Sequence, residues 1–429
     1  MILLYRILFP FMLLLGLPYY GSRMLKRGGY GRDLHHRFGL MDRPPARRTG
    51  VKRIWIQAVS VGELRALQPI MEGLQTRSNV EIVLTTTTST GYALVEEHYT
   101  RCCLKTGLFP LDWAPFCANT WDRIDPDLSL LMEGDIWPEH LHQANKRNVP
   151  VILINGRMSD RSFRRYSKFG NSAKWLFGKI SHVFAASSID AQRFAELGLP
   201  KDRLETTGNV KFDVRVEPIL DETARSRLRA EMGFADNSLV LLGSSTWPGE
   251  EAFLLQVLQE ARREGLDARL LIAPRHAERR KEIRRELERH AVRFSFRTGE
   301  AVTSPLDVYV GDTTGELAML TQAADVVFVG KSLPPHTEGQ TPIEAAALGL
   351  PIVYGPGMGN FRRVCQSLEA ENAAWRGIDA SDAEQKLLQL LRDPAKRLSL
   401  ARAARNWHAR NQGAAQRIVN SLAQKLEAQ

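Results

Sequence analysis

A series of short apolar runs, separated by amphipathic stretches of helical length, constrains the fold more than any other feature of the sequence. Apolar runs of roughly four to eight residues with this spacing are typical of buried parallel strands in βα units. The first series is IWIQAV (54–59), VEIVLTT (80–86), LSLLME (128–133), VPVILIN (149–155) and HVFAAS (182–187). After a pause near 206–220, a second series follows, with SLVLLGS (238–244), ARLLIAP (268–274), DVYVGD (307–312), DVVFVG (325–330) and PIVYG (351–355). The sequence therefore predicts an α/β protein.

We expect each series to form a Rossmann-like domain. We also expect the two domains to face a cleft, because ligands of such sheets bind at the carboxyl ends of the strands. The C-terminal stretch is rich in Ala, Leu, Gln and Arg, which favours helix. The predicted segments are a hydrophobic segment (1–21), a basic segment (22–53), a first domain (54–208), a linker (209–220), a second domain (221–405) and a C-terminal helix (406–429).

The positive charge is concentrated at the N-terminus. The net charge of the chain is +10, and the first 53 residues contain eleven cations and two anions, which leaves them with +9 of that total. The remaining 376 residues are close to neutral. The excess of positive charge follows an apolar stretch, whereas the two domains are close to neutral. Nucleic-acid binding is therefore the least favoured interpretation, and binding to an anionic membrane surface is favoured.

Residues 1–20 are apolar or aromatic apart from Arg6, one glycine and two prolines. A stretch of this length can span a bilayer or lie at its interface. A cleaved secretory peptide is disfavoured, since the cations lie on the wrong flank and no small-residue cleavage pattern precedes them. The charge bias predicts a single retained N-terminal anchor with the domains in the cytoplasm. Pro10 and Pro18 leave open whether the segment spans or half-inserts.

Acidic residues follow two of the strands predicted in the first domain. Glu63 lies at the turn after 54–59, where a carboxylate can act as a general base, although the same position also favours an acid at a helix N-terminus. Glu133 and Asp135 follow 128–133 and can ligate a metal or hold a sugar acceptor. A helix cap at Asp135 explains that pair equally well.

A basic stretch with interleaved aromatic residues begins where the strand 149–155 ends. Arg157 and Arg161 are its first two arginines, and further cations and aromatic residues continue to Gly170. A charge run is most simply a solvated face, but arginines mixed with aromatic residues also suit a phosphorylated lipid at a membrane.

In the second domain, four strand ends in succession have turns of small or polar residues. A helix N-terminus supplies N–H groups to a phosphate, and a carboxylate one turn further on can accept two ribose hydroxyls. Each turn alone is a weak indication, since such residues cap helices generally. Together they predict a nucleotide-binding domain. The residues concerned are Ser244, Thr246, Arg275, His276, Gly315, Glu316, Ser332, Thr341 and Glu344.

The order of these motifs resembles the 3-deoxy-D-manno-octulosonic acid (Kdo) transferases of lipid A biosynthesis, which are membrane-anchored, inverting glycosyltransferases of the GT-B fold. The matching segments are AVSVGE, EGDIWPE, NGRMSDRSFRRY, TTGNVKFD, GSSTWPGEE, APRH, DTTGEL, VGKSLPPHTEGQTPIEAAALGLP and GNF. The chain departs from the family where it has Lys331 and Glu338-Gly339-Gln340-Thr341-Pro342, and Asp135 is one methylene shorter than the usual acid.

The resemblance implies roles for individual residues. Glu63 matches the catalytic base, and Glu133, Asp135, Arg157 and Arg161 are assigned to the acceptor, a lipid A precursor. The segments that bind CMP contain Ser244, Thr246, Arg275, His276, Gly315, Glu316, Ser332, Thr341, Glu344 and Asn360.

The donor implied is CMP-Kdo, with no metal or other cofactor, and the location is the cytoplasmic face of the inner membrane. Two alternatives stay open from the residues alone. One is a GT-B-type transferase or epimerase that uses another nucleotide sugar. The other is a membrane-surface protein without catalysis.

Overall fold

The structure is a computed structural model that describes residues 1–26, 31–76, 79–213 and 218–427. The chain divides into two compact units. Unit 1 comprises residues 1–214 and 412–429, and unit 2 comprises residues 215–411. The predicted linker 209–220 spans this division, and its residues 214–217 lie outside the described residues, as do residues 27–30 of the predicted basic segment.

The described residues of unit 1 form a parallel sheet in the order β3-β2-β1-β4-β5-β6-β7. Its strands are β1 (Lys52–Ala58), β2 (Val80–Thr86), β3 (Lys105–Leu108), β4 (Leu128–Met132), β5 (Val151–Gly156), β6 (His182–Ala185) and β7 (Leu204–Thr206). The direction in which strands are added reverses between β1 and β4. In a doubly wound sheet, this reversal opens a crevice at the carboxyl ends of the two strands.

The helices of unit 1 cover both faces of this sheet, and side chains from the two sheet faces form two hydrophobic clusters. The helices before the first strand and between strands are α1 (Ile2–Lys26), α2 (Val61–Gln75), α3 (Ser89–His98), α4 (Ala114–Ile124), α5 (Pro138–Lys146), α6 (Asp160–Ser167), α7 (Gly170–Phe177) and α8 (Ser188–Glu196). Short 3-10 helices lie at Gly31–Phe38, Lys201–Arg203 and Val210–Asp213.

The N-terminal helix α1 is joined to the rest of unit 1 by polar side chains. The Tyr5 hydroxyl donates to Asp112 Oδ2 at 2.8 Å, and Arg6 pairs with the buried carboxylate of Glu139 at 2.8 Å. The charged side chain of Arg6 within the apolar segment therefore has a protein carboxylate as its partner. Among the residues that the structure describes, no helix is both long enough and apolar enough to cross a bilayer.

The last helix, α17 (Ala414–Glu427), belongs to unit 1 and packs on α2. A Cβ atom at Gly73 would lie 2.8 Å from Val419, so the two helices approach closely at a glycine. The backbone N–H groups of Gly413 and Ala415 donate to the carboxylate of Asp213. The prediction of a single helix over 406–429 is wrong, because Gly413 has φ +92° and separates α17 from the preceding helix.

Unit 2 repeats the architecture, and its described residues form a parallel sheet in the order β10-β11-β9-β8-β12-β13-β14. The strands are β8 (Leu239–Thr246), β9 (Ala268–Pro274), β10 (Phe294–Phe296), β11 (Val308–Val310), β12 (Val326–Val329), β13 (Ile352–Tyr354) and β14 (Trp375–Arg376). Here the direction reverses between β8 and β12, so this pair of strands defines the expected ligand crevice of unit 2.

The helices of unit 2 are α9 (Glu222–Glu231), α10 (Glu250–Arg263), α11 (Arg280–Glu288), α12 (Leu317–Thr321), α13 (Ile343–Ala347), α14 (Arg362–Ala370), α15 (Ala380–Arg392) and α16 (Pro394–Asn411). Short 3-10 helices lie at Ala277–Arg279 and Gly359–Phe361. The prediction of an α/β protein with two Rossmann-like domains is confirmed by the two sheets.

Candidate active site

In unit 1, the predicted acidic residues lie on both sides of the point where the strand order reverses. Glu63 follows β1, whereas Glu133 and Asp135 follow β4, and β1 and β4 are hydrogen-bonded neighbours. Because both strands point the same way, their carboxyl ends bring these side chains to one edge of the sheet. The described structure therefore assembles three carboxylates that are up to 72 residues apart in the sequence.

Glu63 is the third residue of α2, and its carboxylate is held by the turn that precedes the helix. The Val59 N–H donates to Oε2 at 2.6 Å and the Ser60 hydroxyl donates to Oε1 at 3.2 Å. Ser60 is in turn the N-cap of α2. The two interpretations of Glu63 are thus not exclusive, because an acid in the first turn of α2 also lies at the carboxyl end of β1.

Burial raises the pKa of Glu63 from 4.5 to about 7. The hydrogen bond from Val59 opposes this effect, and the negative charge of Glu133 adds to it. A carboxyl group with a pKa near 7 can accept a proton efficiently at neutral pH. The geometry therefore gives Glu63 the properties that a general base requires.

Glu133 has a left-handed backbone conformation, with φ +55°, immediately after β4. Such strain in a residue other than glycine is concentrated at functional sites. Its carboxylate is 2.6 Å from Lys211 Nζ and 3.7 Å from Arg157, and the Asn155 amide lies 3.5 Å away. These two cations offset the negative charge of Glu133, which acts on the carboxyl groups of Glu63 and Asp135.

Asp135 is the most unusual of the three carboxyl groups. Its Oδ2 atom is buried and has no hydrogen-bond partner among the residues that the structure describes. Burial, followed by the charges of Glu63 and Glu133, raises the pKa of Asp135 to about 8. At neutral pH this side chain is largely a neutral acid that can donate a hydrogen bond to a ligand.

Lys211 was not among the residues selected from the sequence. It lies in the 3-10 helix Val210–Asp213, within the pause that separates the two series of apolar runs. The motif TTGNVKFD contains it, so the motif was the available signal. The pattern of apolar and polar residues contains no signal for this element, because a 3-10 helix of four residues is too short to show a periodicity.

The basic stretch after β5 forms α6 and the turn that follows. Arg157 points back to Glu133, whereas Arg161 lies on α6 and is exposed. The exposed surface around Arg161 also contains other cations and one large aromatic side chain, and its members are Arg164, Arg165, Lys168 and Phe169. The structure thus separates one arginine of the acid cluster from an exposed basic surface.

In unit 2, a buried carboxylate joins the two strand ends at the reversal point. Glu250, the first residue of α10 after β8, is 1% exposed. It accepts four backbone N–H groups, from Trp247 at 2.9 Å, Lys331 at 2.7 Å, Ser332 at 2.9 Å and Leu333 at 3.2 Å. The last three belong to the loop after β12, so Glu250 fixes the shape of that loop.

Several hydroxyl groups predicted to contact a nucleotide are engaged within the fold. Thr246 donates to Glu251 at 2.7 Å. Ser332 donates to the Val329 carbonyl at 2.6 Å and accepts the Gly355 N–H at 2.9 Å. Ser244 is buried in β8. These three residues shape the loops at the reversal point through their own hydrogen bonds and packing.

An indole ring lies between the strand-end loops of unit 2. The ring of Trp247 is flanked by the rings of His276 and His336, at centroid distances of 5.2 and 5.4 Å, and Lys331 Nζ lies 4.2 Å above it. Arg275, next to His276, is exposed. The sequence interpretation did not select Trp247, although it named the motif that contains it.

The remaining predicted residues lie on three further loops of unit 2. Gly315 is exposed with φ +92°, and Glu316 pairs with Arg297 at 3.1 Å. Thr341 Oγ1 accepts the Ile343 N–H at 3.2 Å at the start of α13, which contains Glu344 in its first turn. The N–H of Asn360 donates to the Glu338 carbonyl at 2.8 Å.

Comparison with known proteins gives a consistent result. Residues 32–214 match the family model described as 3-deoxy-D-manno-octulosonic-acid transferase. The chain is 33% identical over 378 residues to a 3-deoxy-D-manno-octulosonic acid transferase of Bordetella pertussis, covering 86% of each chain. It is 30% identical over 414 residues to the enzyme of that name from Haemophilus influenzae, covering 96% of this chain and 93% of the relative.

Among solved structures, a UDP-GlcNAc 2-epimerase from Neisseria meningitidis has a similar fold. Its TM-score is 0.61, at 15% sequence identity, over 87% of this chain and all of that one. This likeness concerns the fold alone.

Proposed function

Because the chain belongs to the family of 3-deoxy-D-manno-octulosonic acid transferases and is a glycosyltransferase of lipopolysaccharide synthesis, we propose that it transfers Kdo from CMP-Kdo to a lipid A precursor. We further propose that the transfer inverts the anomeric centre and that Glu63 is the general base. The observation that supports this role is the half-buried carboxyl group of Glu63, whose pKa is about 7 at the reversal point of the unit 1 sheet.

The proposed reaction is a single displacement. Glu63 takes the proton of the acceptor hydroxyl while that oxygen forms a bond to the anomeric carbon of Kdo. The bond from this carbon to the phosphate oxygen breaks, and CMP leaves with the electron pair. Attack on the face opposite the leaving group inverts the configuration.

The other charged groups of unit 1 tune this step in the proposal. The charge of Glu133 raises the pKa of Glu63, and the cation of Lys211 lowers it. Arg157 and Lys211 both lie within 4 Å of Glu133, so they place positive charge beside the acids where an acceptor phosphate can bind. Asp135, as a neutral acid, donates a hydrogen bond to a sugar oxygen.

We assign CMP to unit 2, at the loops after β8, β9 and β12. The exposed Arg275 and the Lys331 ammonium group supply positive charge for the phosphate, and the Trp247 ring supplies an aromatic surface near them. Fixed cations and N–H donors stabilise the charge that develops on the leaving phosphate. The transfer is proposed to need no metal for this purpose.

We also propose that unit 1 contacts the anionic cytoplasmic leaflet of the inner membrane. Helix α1 exposes a set of large apolar side chains, which are Leu3, Leu4, Ile7, Leu8, Phe11, Met12, Leu14, Leu15 and Leu17. Apolar side chains on one helix insert into the membrane–water interface. Each cation near an anionic membrane surface adds about 1 kcal/mol to the free energy of binding. A lipid acceptor would then meet the enzyme at the surface where it resides.

The test is incubation of purified, detergent-solubilised protein with CMP-Kdo and a tetra-acylated lipid A precursor. We expect release of CMP and a product whose mass is increased by one or more Kdo residues. The Glu63→Gln variant should lose at least about a hundredfold in turnover, which is the lower range for removal of a general base. Glu72→Gln, an exposed position on the same helix, is the matched control.

Absence of CMP release from the wild-type protein would contradict the transfer, and an active Glu63→Gln variant would exclude Glu63 as the base. Thermal stabilisation by CMP, compared with UDP and GDP, tests the donor separately, because a ligand stabilises only the protein that binds it. Stabilisation by UDP alone would point to another nucleotide sugar.

A further inference from the structure

An ion pair closes the loop that follows β12 in unit 2. Lys331 Nζ lies 3.2 Å from Glu338 Oε1. The backbone brings the two residues together by two hydrogen bonds between the ends of the loop. The Gly339 N–H donates to the Lys331 carbonyl at 2.8 Å, and the Gln340 N–H donates to the Gly330 carbonyl at 3.1 Å. The loop therefore begins and ends close to this pair.

The backbone at both ends of the loop has a restricted conformation. Lys331 has φ +58°, a left-handed conformation that is uncommon for a residue other than glycine and is concentrated at functional sites. Gly339 has φ +71°, and a Cβ atom there would lie 2.5 Å from Met358 Sδ, so the position requires glycine. The fold of the loop, and not only the ion pair, therefore places the Lys331 side chain.

The ammonium group of Lys331 is held where the strand order of unit 2 reverses. Lys331 follows β12 and Trp247 follows β8, and these two strands define the expected ligand crevice. Nζ lies 4.2 Å from the centroid of the Trp247 ring, whose face attracts a cation. An ammonium group has three N–H donors, so one directed at the ring and one at Glu338 leave a third for an anion in the crevice.

The carboxylate of Glu338 makes the contacts that a bound anion would make. Its Oε1 atom faces Lys331, and its Oε2 atom accepts the Thr337 N–H at 3.1 Å. An ammonium group and a backbone N–H are also the donors that bind a phosphate. The Glu338 side chain is 46% exposed, whereas that of Lys331 is 17% exposed. The carboxylate can therefore turn into solvent while the ammonium group stays in place.

We propose that Glu338 competes with the phosphate of the donor for the Lys331 ammonium group and thereby sets the affinity of unit 2 for a nucleotide. This inference rests on the proposed assignment of CMP to the loops of unit 2. Without a ligand, the ion pair neutralises the cation in the crevice. A phosphate either displaces Glu338 or binds beside its negative charge, and both are unfavourable. The effect concerns the phosphate and leaves the contribution of the nucleoside unchanged.

The test is the dissociation constant of CMP and of cytidine, measured by isothermal titration calorimetry with the full chain in detergent. In Glu338→Gln, the amide keeps the size of the side chain and one acceptor oxygen but has no charge. This variant should bind CMP about two- to fivefold more tightly, which is the range that an exposed ion pair is worth. Its affinity for cytidine should be that of the wild-type protein, because cytidine has no phosphate.

Two further variants make the test specific. Lys331→Met removes the cation and keeps an unbranched side chain beside Trp247, and it should weaken CMP binding at least about fivefold without a change for cytidine. Glu260→Gln is the matched control, since Glu260 pairs with Arg263 at 2.6 Å on the surface of α10. This variant should bind both ligands as the wild-type protein does.

The outcomes separate the role of Glu338 from the identity of the donor. Binding of UMP or GMP in place of CMP, with the same gain in Glu338→Gln, would support the competition and reject CMP-Kdo as the donor. The competition is wrong if Glu338→Gln binds CMP no more tightly than the wild-type protein, or if its affinity for cytidine rises equally. It is also wrong if Lys331→Met binds CMP as tightly as the wild-type protein, or if none of the three nucleotides binds.

Discussion

Replacement of Glu63 by glutamine should stabilise the folded protein at alkaline pH while it abolishes turnover. In the folded chain, the pKa of Glu63 is raised from 4.5 to about 7, chiefly by burial. Between these two values the folded protein keeps a proton that the unfolded chain releases. Folding stability therefore falls as the pH rises from 4.5 to 7, and the loss is complete above 7.

The magnitude follows from the size of that difference. One pKa unit corresponds to about 1.4 kcal/mol, so a rise of about 2.5 costs the wild-type protein about 3 kcal/mol at pH 8.5. Glutamine has no charge to bury and can still accept the Val59 N–H. Removing the Glu63 charge also lowers the pKa of Asp135, which adds to the gain at high pH.

The measurement is the free energy of unfolding of both proteins in urea, at pH 5 and at pH 8.5. The wild-type protein should lose most of about 3 kcal/mol between these pH values relative to Glu63→Gln. Glu72→Gln, on the exposed face of the same helix, should follow the wild-type protein. A pH dependence that is the same in wild type and Glu63→Gln would refute the reasoning that burial raises the pKa of Glu63 in the folded state.

Three further predictions concern other buried or paired charges. Lys211→Met removes the cation that lowers the pKa of Glu63, so the acidic limb of the pH–activity profile should move to higher pH. Glu250→Gln replaces a carboxylate that accepts four N–H groups by a side chain with one acceptor oxygen, so the free energy of unfolding in urea should fall by about 3 kcal/mol. CMP should no longer raise the unfolding temperature of this variant. In the control variant Glu260→Gln, CMP should still raise it. Arg6→Gln leaves the buried carboxylate of Glu139 without its cation and should lower the free energy of unfolding by about 3 kcal/mol. The double variant Arg6→Gln/Glu139→Gln has no buried charge at this position and should regain part of that stability.

The central strands of each sheet could be predicted from the sequence alone. The predicted apolar runs correspond to β1, β2, β4, β5 and β6 in unit 1, and to β8, β9, β11, β12 and β13 in unit 2. Each of these strands has a hydrogen-bonded neighbour on both sides. A strand with partners on both sides is covered by helices on both faces, so its residues must be apolar, and a continuous apolar run is visible in the sequence.

The four strands that the sequence did not predict are the two edges of each sheet. They are β3 (KTGL), β7 (LET), β10 (FSF) and β14 (WR), and each is partly exposed. An edge strand pairs on one side only and is less completely covered. It therefore needs neither the length nor the apolar composition that marks a central strand.

The sequence by itself determined the βα order of the chain, the position of each acid at a strand end and the concentration of positive charge in the first 53 residues. These features depend on local composition and spacing. The tertiary structure alone decided that Lys211 balances Glu133, that Glu250 binds the loop after β12, and that α17 returns to unit 1. Burial and charge pairing arise between residues far apart in the chain, so the pKa values on which the proposed chemistry depends are properties of the fold.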